Sequence, residues 1–506
     1  MDVRRWLWPG LGAAAPAFGL GAAVALGQVP FGLQVLALPA LCGLLHLLSR
    51  EAAAPRAFAL ALFAGAGHFA LALNWIVNPF FVDPWVHGWM APFAVVLLAF
   101  GLGLFWAGAA ALAAALTVPG RLRLLALVSA LALADLLRGH VLTGFPWALF
   151  GHIPLDTPAE QLAALVGGYG MGATVLALAV LPLAWPRTGT AGALAAVAAI
   201  LVWGHARQGL EAGPPPGGVV RLVQPAVVQS LKWDPQEARA TFDGLLELTV
   251  APPEGVRPDL AIWPETAVPF LLTEGEGAAL AMGSLGLPVA AGYQRVEEDR
   301  AWNSLAIFGP GGSIGQSYDK IHLVPFGEYI PFGDLAFRLF GLRAFAAQQG
   351  FGYTAGQEAR LVDFGPGLGP ARVLICYEAI FPEEIGTPDR PGWLVQVTND
   401  AWFGTLTGPW QHFALARLRA IEQGLPLVRA ANTGISAVVT ATGQVAADTS
   451  GKPALLGMGA RGAVDAALPG ALPPPPYART GDLPLVLVLL AGLALAGLAG
   501  RRRKDP

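Results

Sequence analysis

Charge is scarce in this chain of 506 residues: Asp, Glu, Lys and Arg together make up 13% of it, against about 25% in soluble domains. With a mean hydropathy of +0.55, much of the chain must face lipid, which excludes a protein surrounded by water on all sides. Cysteine is rarer still. Only Cys42 and Cys376 occur, so no disulfide framework staples the fold. A net charge of -3 and the lack of any Lys/Arg patch exclude a nucleic-acid surface, which needs clustered cations to neutralise phosphates. No His, Cys, Asp or Glu spacing matches a metal site, and neither metal nor other cofactor is expected. Lysine is the last scarcity, with Lys232, Lys320, Lys452 and Lys504 alone among 31 basic residues. Where a plain positive charge suffices the chain uses arginine, so a lysine marks a task that wants a compact, tunable amine. Three of the four lysines are expected to be incidental.

Long apolar runs are abundant. A bilayer core of about 30 Å takes roughly 20 helical residues, and seven runs of that kind crowd the N-terminal part, at residues 9–26, 30–49, 57–77, 90–118, 122–137, 162–185 and 190–206. The fifth is the weakest, being short and carrying Asp135. An eighth run, residues 483–500, ends in Arg501, Arg502, Arg503 and Lys504. The first run leads straight into the second without a small-residue cleavage site, so it reads as a span and not as a signal peptide. Glycine pairs such as Gly101 with Gly103, and the stretch around Gly167 and Gly170, suit close helix packing in lipid. The expected architecture is a polytopic α-helical membrane domain of eight spans joined to one α/β domain.

Arginine placement predicts the orientation, because short cytoplasmic loops are enriched in Lys and Arg. Arg4 and Arg5, Arg50 and Arg56, Arg121 and Arg123, then Arg187 fall in the N-terminal tail and in every second loop, and the cluster at 501–504 closes the pattern. Both termini are therefore expected in the cytoplasm, with everything between the seventh and eighth spans outside.

Domain limits follow from composition: a seven-helix membrane part at 1–216, a globular domain at 217–470, a Pro-rich linker at 471–482, and the last span with its basic tail at 483–506. Some 250 residues suffice for one large α/β core. Strands are predicted at 219–223, 259–263, 288–293, 304–308, 372–376, 393–398 and 436–440, and helices at 235–249 and 410–423.

Three residues of this domain carry chemistry. Cys376 ends the apolar run Arg372-Val-Leu-Ile-Cys376, which delivers its last side chain to a sheet edge, where α/β sites form. A thiol there also fits an ordinary core, but polar Tyr377 and Glu378 follow at once and favour a site. Glu265 likewise closes an apolar strand, braced by Pro264 and Pro269. Lys320 opens a stretch to Pro331 whose aromatics, prolines and Gly327 describe a rigid loop and not a solvated face. Each of the two alone would read as a surface residue. Together they specify one reaction class: a carboxylate takes the proton of a thiol, an ammonium stabilises the thiolate and the developing oxyanion, and an acyl group is transferred.

The globular domain resembles the nitrilase superfamily, in which Glu, Lys and Cys occur in this order at strand ends, and an αββα sandwich is the fold that this resemblance implies. The whole chain resembles the apolipoprotein N-acyltransferases, through Gln229-Ser-Leu-Lys-Trp-Asp234, Trp263-Pro-Glu-Thr266, the Lys320 to Pro331 loop, Cys376-Tyr-Glu378 and Asn399-Asp-Ala-Trp-Phe-Gly404, and through Arg138-Gly139 and Leu142-Thr-Gly-Phe-Pro-Trp147 in the membrane part. The resemblance implies a ping-pong reaction at a bacterial inner membrane. Cys376 attacks the sn-1 ester of a phospholipid, Glu265 is the general base, and Lys320 with the backbone amide of Tyr377 holds the oxyanion. The acyl chain then passes to the α-amino group of a diacylglyceryl cysteine that begins a lipoprotein. Glu328 would hold Lys320 charged, Glu378 and Asn303 would orient the triad or substrate, and Trp233, Trp402 and Tyr377 would line the entrance. Trp147 and Phe150, in the loop from Arg138 to Gln161, are expected to guide lipid entry. Donor phospholipid, acceptor apolipoprotein and the bilayer are the expected partners of a monomer.

Two rivals keep their place. A membrane-fused nitrilase-type amidase would share the triad and pass the acyl group to water. A transporter or sensor with a nitrilase-like scaffold would need buried charged pairs in its spans, and between residues 57 and 118 the one charged residue is Asp83.

Overall fold

A computed structural model describes residues 11–229, 232, 235–253, 255–272, 275–298, 300–331, 352–387 and 389–504. The expected substrate residue Trp233 lies outside these. The chain divides into two compact units, Met1–Gly209 with Pro474–Pro506, and Leu210–Pro473.

The first unit is helical. Its long helices are α1 (Leu11–Ala25), α2 (Gln34–Arg50), α3 (Ala54–Ala72), α4 (Ala91–Leu116), α5 (Arg121–His140), α6 (Ala163–Ala184), α7 (Thr188–Gln208) and, after the second unit, α8 (Leu483–Lys504). They stand where the apolar runs stand, because residues without polar side chains leave the backbone no partner in lipid but itself. Among the described residues, five helical stretches, those holding α3, α4, α6, α7 and α8, are long and apolar enough to cross a membrane, and α1 and α2 are shorter apolar helices. Small residues set the helix spacing: a Cβ on Gly65 of α3 would lie 2.7 Å from the Cα of Gly103 on α4, so both glycines let the backbones touch. Gly101, two residues away, meets nothing within 4 Å and plays no such part.

Asp135, the blemish in the fifth run, is paired. Its Oδ1 accepts from Arg138 Nη2 at 3.2 Å and its Oδ2 from the backbone N–H of Phe150 at 3.1 Å, while Arg138 Nη1 donates to the carbonyls of Phe145 (2.5 Å) and Trp147 (2.7 Å). The pair therefore ties the Leu142 to Phe150 segment to α5. This changes the expectation for Trp147 and Phe150. Trp147 is 1% exposed and stacks on Trp75 at 4.7 Å, and Phe150 lies flat on Trp106 at 4.5 Å. Both are core residues of the first unit, since Arg138 draws their backbone inward, and neither offers a surface for guiding lipid. Exposed aromatics stand elsewhere, among them Phe81, Trp85, Trp89 and Phe93, with Trp85 95% exposed.

The second unit is an αββα sandwich. Its strands include β1 (Val219–Gln224), β2 (Leu260–Ile262), β3 (Val289–Glu297), β4 (Arg300–Phe308), β5 (Ile314–Asp319), β6 (Leu361–Asp363), β7 (Pro370–Ile375), β8 (Trp393–Thr398), β9 (Leu427–Ala431), β10 (Ser436–Val439), β11 (Leu455–Leu456) and β12 (Gly462–Ala467). One six-stranded sheet has the order β12-β1-β2-β3-β4-β5 and the other β11-β10-β9-β8-β7-β6. Side chains alternate across a strand, and the alternation sorts the layers. Val220, Leu222, Leu260 and Ile262 from one sheet meet Val373, Ile375, Val395 and Val397 from the other in the central layer. The residues between them face outward: Val223, Ala261 and Trp263 pack on α9 (Pro235–Val250), and Leu374, Leu394 and Leu427 pack on α10 (Gly408–Gln423). Strands buried on both faces read as continuous apolar runs, which is why β1, β7 and β8 were foreseeable while β5, exposed on one side, was not.

Candidate active site

The sandwich brings Glu265, Lys320 and Cys376 together because each follows a strand end. Glu265 stands three residues after β2, Lys320 directly after β5, and Cys376 directly after β7, where it opens the turn Cys376–Ile380. The Glu265 loop lies tight on the sheet. A Cβ on Gly292 of β3 would fall 2.4 Å from the Pro264 carbonyl and 2.7 Å from the Glu265 Cα, so this strand position must be glycine. Trp263 anchors the same loop by donating its indole N–H to Thr249 Oγ1 at 2.8 Å.

The charged groups are buried and interlocked. Lys320 Nζ donates to Glu328 at 2.9 Å and lies 3.7 Å from Glu265 Oε1. Asn303 on β4 donates both amide hydrogens, to Glu265 Oε1 (2.7 Å) and to Glu328 Oε1 (2.9 Å), so it spaces the two carboxylates that flank the amine. Glu265 Oε2 accepts the backbone N–H of Asn399 at 2.9 Å. Neighbouring Thr398 reaches the Cys376 thiol, so the end of β8 touches both Glu265 and Cys376 through adjacent residues. Burial opposes the charge on Lys320, but the Glu328 and Glu265 carboxylates hold its pKa above that of a free lysine. It is a fixed cation. Burial, with the Glu265 charge, pushes the Cys376 thiol up, and Lys320 pulls it back only in part. The resting Cys376 is therefore a neutral thiol. For such a thiol to attack a carbonyl its proton has to leave, and Glu265 is the carboxylate able to take it.

Glu378 and Tyr377 take positions that sequence alone did not specify. Glu378 is buried and points away from the triad: Oε1 accepts from Tyr318 Oη (2.7 Å) and Ile321 N–H (2.8 Å), and Oε2 from Ile375 N–H (2.7 Å). It clamps the Lys320 segment to the Cys376 segment. Tyr377 is nearly buried, its ring edge-on to His322 and Phe381. His322 stacks on Phe381 at 3.9 Å and pairs with Glu384. Trp402 is half-buried in the turn Asp400–Phe403.

Lys232 was passed over and belongs to the site. Its Nζ is buried and donates to the Glu265 carbonyl at 3.0 Å and to Thr266 Oγ1 at 2.6 Å, and burial lowers its pKa to about 8 against the pull of Glu265 and Cys376. The scarcity of lysine was the signal for it. Two of the four lysines in the chain, not one, are committed here.

Known proteins resemble the chain from end to end. A family model for carbon-nitrogen hydrolases matches residues 220–456, and one for the apolipoprotein N-acyltransferase N-terminal domain matches residues 20–181. The apolipoprotein N-acyltransferase of Bradyrhizobium diazoefficiens is 39% identical over 99% of this chain and 96% of its own length. That of Brucella suis is 39% identical over 95% and 94%, and that of Caulobacter vibrioides 37% over 97% and 95%. Among solved structures, a CN-hydrolase superfamily protein from Xanthomonas campestris is 21% identical, covering 50% of this chain and 90% of its own, with a TM-score of 0.35. Identity at this level over almost the whole length of both partners, together with the two matching domains, makes the chain a member of the apolipoprotein N-acyltransferase family.

Proposed function

We propose that the chain is an apolipoprotein N-acyltransferase working through a Cys376 thioester, anchored in the bacterial inner membrane by eight spans with the catalytic domain on the outer face. The observation that carries this reading is the buried set of Glu265, Lys320 and Cys376 at adjoining strand ends in a family member that also keeps the apolar helical unit. In the first half-reaction the sulfur attacks the sn-1 ester carbonyl of a phospholipid and passes its proton to Glu265. Lys320 and the Tyr377 amide carry the oxyanion. The C–O bond then breaks and the lysophospholipid leaves with the proton from Glu265. In the second, the α-amine of the diacylglyceryl cysteine attacks the thioester, Glu265 takes a proton from nitrogen, and the thiolate departs and recovers it. A thioester is more reactive than an amide, so the transfer runs downhill without a nucleotide.

Asn303 and Glu328 set the geometry and charge of this machinery, and Trp402 and Tyr377 border the substrate route. Phospholipid donor and lipoprotein acceptor are the only partners the chemistry requires. An amidase-like hydrolysis remains the second reading because the same acyl-enzyme yields to water. Purified protein with a two-chain phospholipid and a diacylglyceryl peptide separates them: appearance of N-acyl peptide with lysophospholipid supports transfer, and free fatty acid without N-acyl peptide contradicts it.

A further inference from the structure

Behind Cys376 lies a second set of buried polar side chains that the reaction above does not use. Gln396 and Thr398 on β8, Asp400 just beyond it, His412 on α10 and Arg429 on β9 are all excluded from solvent. Their bonds close on one another. Arg429 Nη2 donates to Asp400 Oδ2 at 2.6 Å, His412 Nδ1 donates to Asp400 Oδ1 at 2.9 Å, and Thr398 Oγ1 donates to the same oxygen at 3.0 Å. Arg429 also donates to Gln396 Oε1, which turns the amide nitrogen of Gln396 away from it. That nitrogen lies 3.0 Å from the Cys376 carbonyl and 3.2 Å from His412 Nε2, and His412 Nε2 is itself 3.1 Å from the carbonyl. The protonation pattern is fixed. Burial opposes a charge on Asp400, but Arg429 and His412 hold its pKa at about 2, so it accepts and never donates. Burial and Arg429 lower the pKa of His412, which is therefore neutral with its proton on Nδ1.

We propose that the buried Asp400–His412–Arg429 cluster is a positioning device for the nucleophile, gripping the Cys376 carbonyl through Gln396 and the thiol through Thr398. The inference rests on Cys376 being the nucleophile. Two features separate it from ordinary core packing. Apolar side chains would fill this volume without desolvating a guanidinium and a carboxylate, so ionic groups kept here serve geometry more than stability. Cys376 also has φ +53, a left-handed conformation that a non-glycine residue keeps only when its surroundings over-determine it. The cluster supplies that determination at the carbonyl of this one residue. The turn so held aims the sulfur outward from the strand and presents the following amide, of Tyr377, on the side where the oxyanion forms. Thr398, its hydroxyl tied to Asp400 Oδ1 at 3.0 Å, stands beside the sulfur and restricts the thiol's rotamers.

The test uses the full-length protein in detergent–phospholipid micelles with Cys42 replaced by Ala, so that Cys376 is the sole thiol. His412→Leu removes the acceptor that orients the Gln396 amide and one of the donors that hold Asp400, and His412→Asn restores a donor where Nδ1 stood. Acyl-enzyme formation in His412→Leu is expected to slow about 10²-fold, as a nucleophile displaced by an ångström does, with KM for phospholipid within about twofold of the parent. Alkylation of Cys376 by iodoacetamide should slow in parallel, and His412→Asn should recover acylation to within roughly tenfold of the parent. A folded His412→Leu protein that acylates within about threefold of the parent, or a His412→Asn protein no better than His412→Leu, overturns the proposal. Should His412→Leu fail to fold, the isosteric Thr398→Val is read instead: slowed alkylation supports the cluster's grip on sulfur, and unchanged alkylation refutes it. Cys376→Ala runs alongside. If it still transfers acyl groups, the nucleophile assignment itself has failed; if it is dead while His412→Leu is unimpaired, only the positioning role has.

Discussion

Each unit of this protein buries ion pairs, and one set taken from each shows two different uses. In the membrane unit, Asp135 and Arg138 spend their remaining hydrogen-bonding capacity on backbone groups of Phe145, Trp147 and Phe150. In the sandwich, Glu265, Lys320 and Glu328 bond chiefly to other titratable or amide side chains, and two of them act on a thiol. A buried charge whose partners are backbone atoms shapes a loop. One whose partners are themselves able to gain or lose protons is poised for chemistry. The comparison also weighs against the transporter reading, because the Asp135–Arg138 pair directs most of its hydrogen bonds to the chain's own backbone.

Four substitutions would break or sharpen the contrast, the first being the most severe. Cys376→Ala should lower acyl transfer by roughly 10⁴-fold or more, as loss of a nucleophile does, measured as lysophospholipid release, with the thermal midpoint little changed. Lys320→Met should cost about 10² to 10³ in kcat, the effect of removing an oxyanion donor; it also leaves Glu265 and Glu328 facing each other without their cation. Arg138→Met should behave in the opposite way. Removing one partner of a buried pair costs about 3 to 5 kcal/mol of stability, seen as a lower thermal midpoint, while the rate per folded molecule stays near that of the parent. A large kcat loss at an unchanged midpoint in this variant would show that the pair is not merely structural. Lys232 predicts the smallest and most specific effect. Its folded pKa is about 8, below the ordinary lysine value, so between about pH 8 and 10.4 the unfolded chain holds a proton that the folded one does not, and stability attributable to this group rises with pH across that window. Activity should do the reverse, declining above pH 8 as the Glu265 loop loses the ammonium that ties it down. Lys232→Arg, which keeps its charge, should flatten that alkaline decline in a pH–kcat profile.

Much of this could be read before any coordinates, for identifiable reasons. Glu265 and Cys376 were conspicuous because each interrupts an apolar strand at its end, and a reactive group there has few structural uses. The long helices were legible from their length and lack of charge. What stayed hidden depended on tertiary neighbours. Gln396, His412 and Arg429 lie on three elements and look like ordinary polar residues until the fold closes them around the Cys376 carbonyl. β5 escaped notice because its run Ile-Gly-Gln-Ser-Tyr-Asp is an edge strand with one wet face. Trp147 misled because aromatic content alone does not separate an interfacial residue from one buried on another tryptophan.

The central claim, that a fixed cation and a proton-accepting carboxylate let a neutral buried thiol take up an acyl chain, is tested most directly by intact mass measurement of the protein mixed with a phospholipid carrying different sn-1 and sn-2 chains. The account predicts a gain equal to the sn-1 acyl group on Cys376, lost again on adding a diacylglyceryl peptide with a free amino terminus. An unmodified protein that nevertheless produces N-acyl peptide, or an adduct that persists when the acceptor is added, would contradict it.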